Sequence, residues 1–337
     1  MKKKFLVPVV ICVLAIVGVT WYYLFSSLSK ADEPVYVCID DDDNLDSVFA
    51  KVKLIATAHG SSGFQTLARH SGYGDNIRTG RFEVRPGDGS LTVFRRMKNG
   101  MQSAVKLTIP SVRTLDRLSA VLGEKLMLDS VEMMEALTDE RVCERYGYDT
   151  LTIGCLFIPN TYDVYWNTTV ENLLERMKKE CDAFWTSERQ QKAAAMGFSR
   201  EEVMTLASIV DEETNDDGEK EMIAGMYYNR LREGMPLQAD PTVKFATKDF
   251  SAKRIYEKML RIESPYNTYR NTGLPPGPIR IPSVAGIDAV LNYTHHDYLY
   301  MCAKEDFSGT HNFAQTYEEH LANAAKYTQA LNERGIR

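Results

Sequence analysis

From Phe5 to Ser29 the chain carries no charged residue, and its centre, FLVPVVICVLAIVGVTWYYLF, is long enough to cross a bilayer as one helix. Lys2, Lys3 and Lys4 precede it, so the positive-inside rule places residues 1–4 in the cytoplasm, and Trp21, Tyr22 and Tyr23 suit the far interface. The spacing predicts a transmembrane helix over 5–26 and a tether over 27–34. A cleaved signal peptide is the alternative, because Ser29-Lys30-Ala31 offers small residues for cleavage. Either reading puts the bulk of the chain outside the cytoplasm. The anchored one makes it a single-pass protein of the cell (inner) membrane.

The balance of 40 basic and 46 acidic residues gives a net charge of −6. Four of the basic residues precede position 31 without a single acid, leaving 36 against 46, a net −10, for the rest. A nucleic-acid-binding surface needs the opposite sign, so no nucleic-acid partner is expected. A hydrophobic content of 44% and a charged content of 26% fit a globular chain. Six cysteines without a CxxC pair exclude a disulfide scaffold and a zinc ribbon, and at least one is expected as a buried free thiol.

Beyond the tether, strands are expected at Val35 to Ile39 and Arg81 to Arg85, with helices near Leu45 to Ala56 and Phe64 to His70 between them. This β-α-α-β unit over 35–85 has the size of a carbohydrate-binding module or a spacer. Residues 86–198 read as an intermediate α/β region, with a strand at Val105 to Ile109 and one long helix over Val170 to Ala195. Residues 199–337 differ in texture. Two strong helices there lead into Met235 to Pro282, rich in Pro, Tyr, Asn, Thr and Gly, and loops of that length on a helical scaffold are usually functional. The fold class is α+β.

Ser199-Arg200-Glu201-Glu202 is a capping box that starts a helix reading EEVMTLASIVDEET. Val203, Leu206, Ala207 and Val210 share one apolar stripe at 100° per residue. Glu213 falls on its flank, Glu212 projects from nearly the opposite face, and Asp211 lies on the other side. A carboxyl on an apolar flank is desolvated, which raises its pKa toward what a general acid needs near neutrality. A solvated acidic helix end remains the alternative. Further on, Gln238, Asp240, Thr242, Tyr266, Asn267, Thr268, Tyr269 and Asn271 offer hydroxyls, amides and rings on proline-stiffened loops, a composition that suits a sugar but also an unliganded polar cluster. His295, His296, His311 and His320 lack the spacing of a zinc site, and no metal or cofactor is expected. Asp40 to Asp43 reads as a solvated turn, since Leu45 stands where a calcium loop requires glycine. Cys155 has no histidine near it in sequence.

The strings LASIVDEET, YYNRLREGMPLQADPTV, SPYNTYRNTGLPPGPI and HNFAQTYEEH closely resemble the MltG/YceG-like family of endolytic murein transglycosylases. The resemblance implies a LysM-like module at 35–85 ahead of a catalytic domain with a helix-borne glutamate. It also implies cleavage of the β-1,4 bond between N-acetylmuramic acid and N-acetylglucosamine within glycan strands, leaving 1,6-anhydro ends and ending strand elongation. Peptidoglycan strands would be the substrate and peptidoglycan synthases at the membrane the partners. In the family motif I-V-E-K-E-T, Glu213 matches the second glutamate, while Asp211 replaces the first and Glu212 the lysine. Ile153 and Asn160 depart from the family's Glu and Asp in the preceding loop. Two other readings stay open: a muramidase with Asp240 as second carboxylate, and a wall-binding protein that does not cut.

Overall fold

A computed structural model describes residues 2–252 and 255–335, with side chains from residue 7 onward. The side chains of Lys2, Lys3 and Lys4, on which the orientation reading rests, lie outside that set. The chain divides into two compact units, the first comprising Met1–Leu107, Gly123–Leu128 and Tyr162–Thr169, the second Thr108–Leu122, Asp129–Thr161 and Val170–Arg337.

The first unit opens with helix α1 (Lys2–Phe25), whose stretch Val7–Phe25 has a mean hydropathy of 2.2 and no buried residue in its most apolar window. Strand β1 (Val35–Ile39), helices α2 (Leu45–Ile55) and α3 (Ala58–His70), strand β2 (Gly80–Val84) and helix α4 (Ser90–Lys98) follow. The two strands pair antiparallel, Val35 opposite Val84 and Ile39 opposite Gly80, with α2 and α3 between them as the periodicity predicts. Phe64, Tyr73 and Phe94 meet edge to face at 5.9 to 6.5 Å, so the core continues past residue 85 into α4 through Val93, Phe94 and Met97.

Two expectations change here. The turn at Asp40 to Asp43 is solvated at Asp41 and Asp42, which are exposed, but ion-paired at its ends: Lys51 reaches both Asp40 and Asp43, Ser47 Oγ donates to Asp43 at 2.5 Å, and the Asp43 side chain is 3% exposed. Of residues 27–34, expected as a tether, Ser27 to Lys30 are stitched into the core, while Asp32, Glu33 and Pro34 are exposed. Leu28 is fully buried and its N–H donates to Asp88 O at 2.8 Å, Thr57 N–H donates to Leu28 O at 2.7 Å, and Lys30 N–H donates to Ile55 O at 3.0 Å. Two glycines inside α3 allow this. A Cβ on Gly60 would stand 2.8 Å from Leu28 Cα, and one on Gly63 would stand 2.2 Å from Tyr23 O. Helix propensity is given up there so that the end of α1 can approach.

Strands β3 (Val105–Thr108) and β4 (Thr161–Val164) form a second two-stranded sheet. The second unit is mainly helical: α5 (Leu115–Lys125), α6 (Ser130–Thr138), α7 (Glu140–Arg145), α8 (Val170–Phe184), α9 (Ser187–Met196), α10 (Arg200–Glu213) and α11 (Asp217–Arg232). Then come α12 (Asp240–Thr247), α13 (Glu257–Leu260), α14 (Val284–Leu291), the hairpin β5 (Tyr300–Ala303) and β6 (His311–Ala314), and α15 (Tyr317–Glu333). The single helix expected over Val170 to Ala195 is two. Trp185 is buried, Thr186 takes an extended backbone, and Thr186 Oγ1 accepts from Arg189 N–H at 3.4 Å, so a new helix is capped where the old one stops. The stretch Met235 to Pro282, expected as loop, contains α12 and α13, with Pro241 in the first turn of α12 where a missing N–H costs nothing. Cys143, Cys155 and Cys181 are buried free thiols, and burial pushes all three up from the ordinary thiol pKa.

Candidate active site

Helix α10 starts as its capping box dictates: Ser199 Oγ accepts from Glu202 N–H at 3.1 Å and Glu202 Oε2 accepts from Ser199 N–H at 2.8 Å. It is not amphipathic in the expected sense, because every residue from Val203 to Asp211 is buried and the helix packs against α9, α11, α12 and α14. Ser208 ties the proline loop to it, its Oγ accepting from Ile279 N–H at 3.0 Å. Thr214 ends the helix in extended conformation and accepts Asp216 N–H at 3.0 Å, so α11 returns after three residues. That tight return brings Tyr227 of α11 back to the last residue of α10.

Tyr227 Oη donates to Glu213 Oε1 at 2.6 Å. Burial raises the Glu213 pKa to about 7; the Tyr227 bond pulls it down, the Asp240 charge pushes it up, and His311 opposes. Glu213 opens into a cavity of about 290 Å³ whose wall includes Arg230, Gln238, Asp240, Tyr269, His311 and His320. Tyr269 Oη donates to Asp240 at 2.6 Å, and burial followed by Asp240 raises the phenol pKa. Arg230 is buried and donates to the carbonyls of Leu299 at 2.6 Å and Leu237 at 2.8 Å, with Gln238 Oε1 at 3.5 Å. Gln238 has φ +52°, a left-handed backbone that a side chain adopts at a cost of about 1 kcal/mol and that recurs at working sites. His311 is held by Glu219, through Nδ1 at 2.8 Å and its N–H at 2.7 Å.

Of the nine residues singled out in sequence, the cavity brings together Glu213, Gln238, Asp240 and Tyr269, whereas Asn271 turns its amide onto the carbonyls of Ser264 and Asn267 at 2.9 Å each. Thr242, Asn267 and Thr268 are buried and turned into the scaffold. Thr242 Oγ1 donates to Ala239 O at 2.6 Å, Thr268 Oγ1 accepts from Ala239 N–H at 3.0 Å, and Asn267 Nδ2 donates to Leu260 O and Ile262 O at 2.9 Å each. Tyr266 lines a different cavity. Tyr227 and Arg230, one turn apart on α11, were not singled out, although both stand in the string YYNRLREGMPLQADPTV. His311 and His320, whose spacing in sequence suits no zinc site, stand on the cavity wall.

The acids beside Glu213 are both engaged. Asp211 accepts from Lys220 Nζ at 2.8 Å, Ser283 Oγ at 2.8 Å and Ser283 N–H at 2.5 Å. Glu212 does project away from Glu213, but not into solvent. Arg113 donates Nε and Nη2 to its two oxygens at 2.7 Å each, and Arg280 Nη1 adds a bond at 3.0 Å. Glu212→Ala is therefore expected to lower unfolding free energy by about 2 kcal/mol, because it strands two guanidinium groups. A shifted urea midpoint with unchanged slope checks this. Ile153 is wholly buried, and Asn160 Oδ1 accepts Thr161 N–H at 2.8 Å.

Residues 37–326 match the YceG-like family. A protein of Bacillus subtilis named endolytic murein transglycosylase is 26% identical over 343 residues, 95% of this chain and 93% of its own. One of the same name from Streptococcus pneumoniae is 26% identical over 345 residues; the alignment takes in 92% of this chain and only 62% of that longer relative. Among solved structures, a crystal structure of a protein described as YceG-like from Listeria monocytogenes matches at 25% identity with a TM-score of 0.57, covering 87% of this chain and 99% of that one.

Proposed function

Because the chain belongs to the YceG-like family, we propose that it is an endolytic lytic transglycosylase that cuts peptidoglycan glycan strands between N-acetylmuramic acid and N-acetylglucosamine, with Glu213 as its one acid and base. The observation that carries this is a carboxyl on the wall of a polar cavity, bonded by Tyr227 at 2.6 Å and made protonatable near pH 7 by burial. Protonated Glu213 gives its proton to the glycosidic oxygen as the bond to C1 breaks. The resulting carboxylate then takes the proton of the muramic acid 6-hydroxyl, whose oxygen closes on C1 to leave a 1,6-anhydro end. No water enters the products. Tyr227 orients the carboxyl and stabilises it in the charged half of the cycle, and the Asp240 charge favours its return to the protonated form. Gln238, Asp240 and Tyr269 would hold the flanking sugars; Thr242, Asn267 and Thr268 would fix the loop that carries them.

Asp240 in the same cavity is the observation that favours a hydrolase, which needs two carboxylates. Mass analysis of products from purified strands separates the readings: anhydro ends are expected, reducing ends would make the enzyme a muramidase, and uncut strands would leave a wall-binding protein. The β-α-α-β module over 35–85 would act as a LysM-like glycan anchor, and synthases at the membrane would supply the strands.

Helix α1 supports a single-pass anchor, with the N-terminus in the cytoplasm by the lysine rule. A reporter fused after Arg337 is expected to be active only on the extracytoplasmic side. A soluble form lacking residues 1–31 as the main cellular species would overturn the anchor.

A further inference from the structure

A second cavity, of about 310 Å³, lies beside the last turn of α10 and shares no wall residue with the cavity of Glu213. The link between them is the pair of consecutive glutamates. Glu213 faces the first, and Glu212 is gripped by Arg113 and Arg280, which line the second. One side of the second cavity is aromatic: Phe245 lies 4.8 Å from Tyr266 and 6.3 Å from Phe250, centroid to centroid. The charged side holds three cations, Arg113, Lys248 and Arg280, with Asp116 the only acid on the wall. Counting Glu212 behind the arginines, the cavity has one positive charge in excess, in a chain whose net charge is −6. Arg113 gives two of its three nitrogens to Glu212 and stands 5.5 Å from the Phe250 ring, so Nη1 has no partner among the described residues. Lys248 is exposed at the rim, held there by a left-handed backbone of φ +55°, and its ammonium likewise has no partner among the described residues.

Such walls recognise a carboxylate carried on a short apolar scaffold. The backbone of a glycan strand, neutral hydroxyls and acetamides, offers these cations acceptors but no counter-charge. A stem peptide on muramic acid supplies one: it has free carboxylates and methyl side chains. Reach favours the longer stems: a five-residue peptide extends about 17 Å, more than the about 10–12 Å across a helix with its side chains. We propose that this cavity is a subsite for the carboxylate-bearing stem peptide of the strand being cut. This rests on the transglycosylase reading for its substrate, but the binding is testable without turnover.

The test uses the full chain in detergent with Glu213→Gln, titrated calorimetrically with soluble N-acetylmuramyl tripeptide. Arg113→Gln and, separately, Lys248→Glu are expected to weaken binding about tenfold or more; the rim lysine is exposed, so its variant keeps the fold even if the arginine variant does not. With Glu213 intact, kcat/KM should favour peptide-bearing strands over amidase-stripped ones by about tenfold, and the ratio should fall toward one in both variants. Tripeptide binding unaffected by either change, or equal kcat/KM on the two strand types in the unaltered enzyme, overturns the subsite. Tripeptide binding that is lost in the variants while no strand is cut by any form leaves the subsite standing and removes the transglycosylase reading instead.

Discussion

Glu213→Gln should reduce strand cleavage by about 10³-fold or more, since the side chain keeps its size and its bond from Tyr227 but can neither give nor take a proton. The pH dependence sharpens the expectation. The acid-competent form is the protonated one, with a pKa of about 7, so kcat/KM should be flat below neutrality and fall about tenfold per pH unit above it. Stability should fall in the same direction, over the pH window just below. A carboxyl whose folded pKa is raised holds its proton more tightly folded than unfolded. Its contribution is fully present below the unfolded value near 4.5 and is lost as pH rises to about 7. The glutamine variant, always neutral, should match the parent at pH 4 and exceed it by about 3 kcal/mol at pH 8. Full activity in the variant, or an alkaline limb absent from the parent's profile, would place the acid elsewhere.

The largest stability effect is expected at Lys220. Its side chain is 7% exposed and its ammonium bonds Asp211 at 2.8 Å and Asp217 at 2.7 Å, while the Asp211 side chain is 4% exposed. Lys220→Met strands a buried carboxylate and should cost about 3–5 kcal/mol. Adding Asp211→Asn should recover much of that, because the neutral amide needs no counter-ion and its oxygen can still accept from Ser283. Urea denaturation of the single and double variants measures the coupling. A Lys220→Met protein as stable as its parent would mean that this pair does not hold α10 to α11 and α14. Gly286 belongs to the same arrangement: a Cβ there would stand 2.6 Å from an Asp211 oxygen.

The place of Glu213 at the end of α10 was legible from sequence because a capping box sets the start of the helix, although the apolar stripe used for its phase is one side of a helix buried all round from Val203 to Asp211. The same reasoning gave Glu212 the right direction and the wrong surroundings, since periodicity says where a side chain points and not what stands there. Arg113 and Arg280 arrive from 99 and 68 residues away. The polar loop residues show a related limit. Thr242 and Tyr269 look equally available for a sugar, yet one hydroxyl closes a turn onto Ala239 O and the other borders the cavity. The break after α8 carried neither glycine nor proline, and only the burial of Trp185 and the cap from Thr186 explain it. Tyr227 was missed because nothing local marks a tyrosine on α11 as the partner of a glutamate 14 residues earlier.

The junction between α1 and its unit carries a further consequence. Tyr22 Oη and His59 Nδ1 lie 3.1 Å apart, Ser90 Oγ donates to Tyr23 O at 3.0 Å, and Leu28 is sealed inside the core. With α1 in a bilayer, the β1–β2 module is mounted like a bracket rather than hung from a leash. It has an altitude above the lipid and no radius of search. If the module binds glycan as proposed, strands would be met only as they pass that altitude, so distance from the membrane, more than sequence or length of the strand, would decide which material it holds.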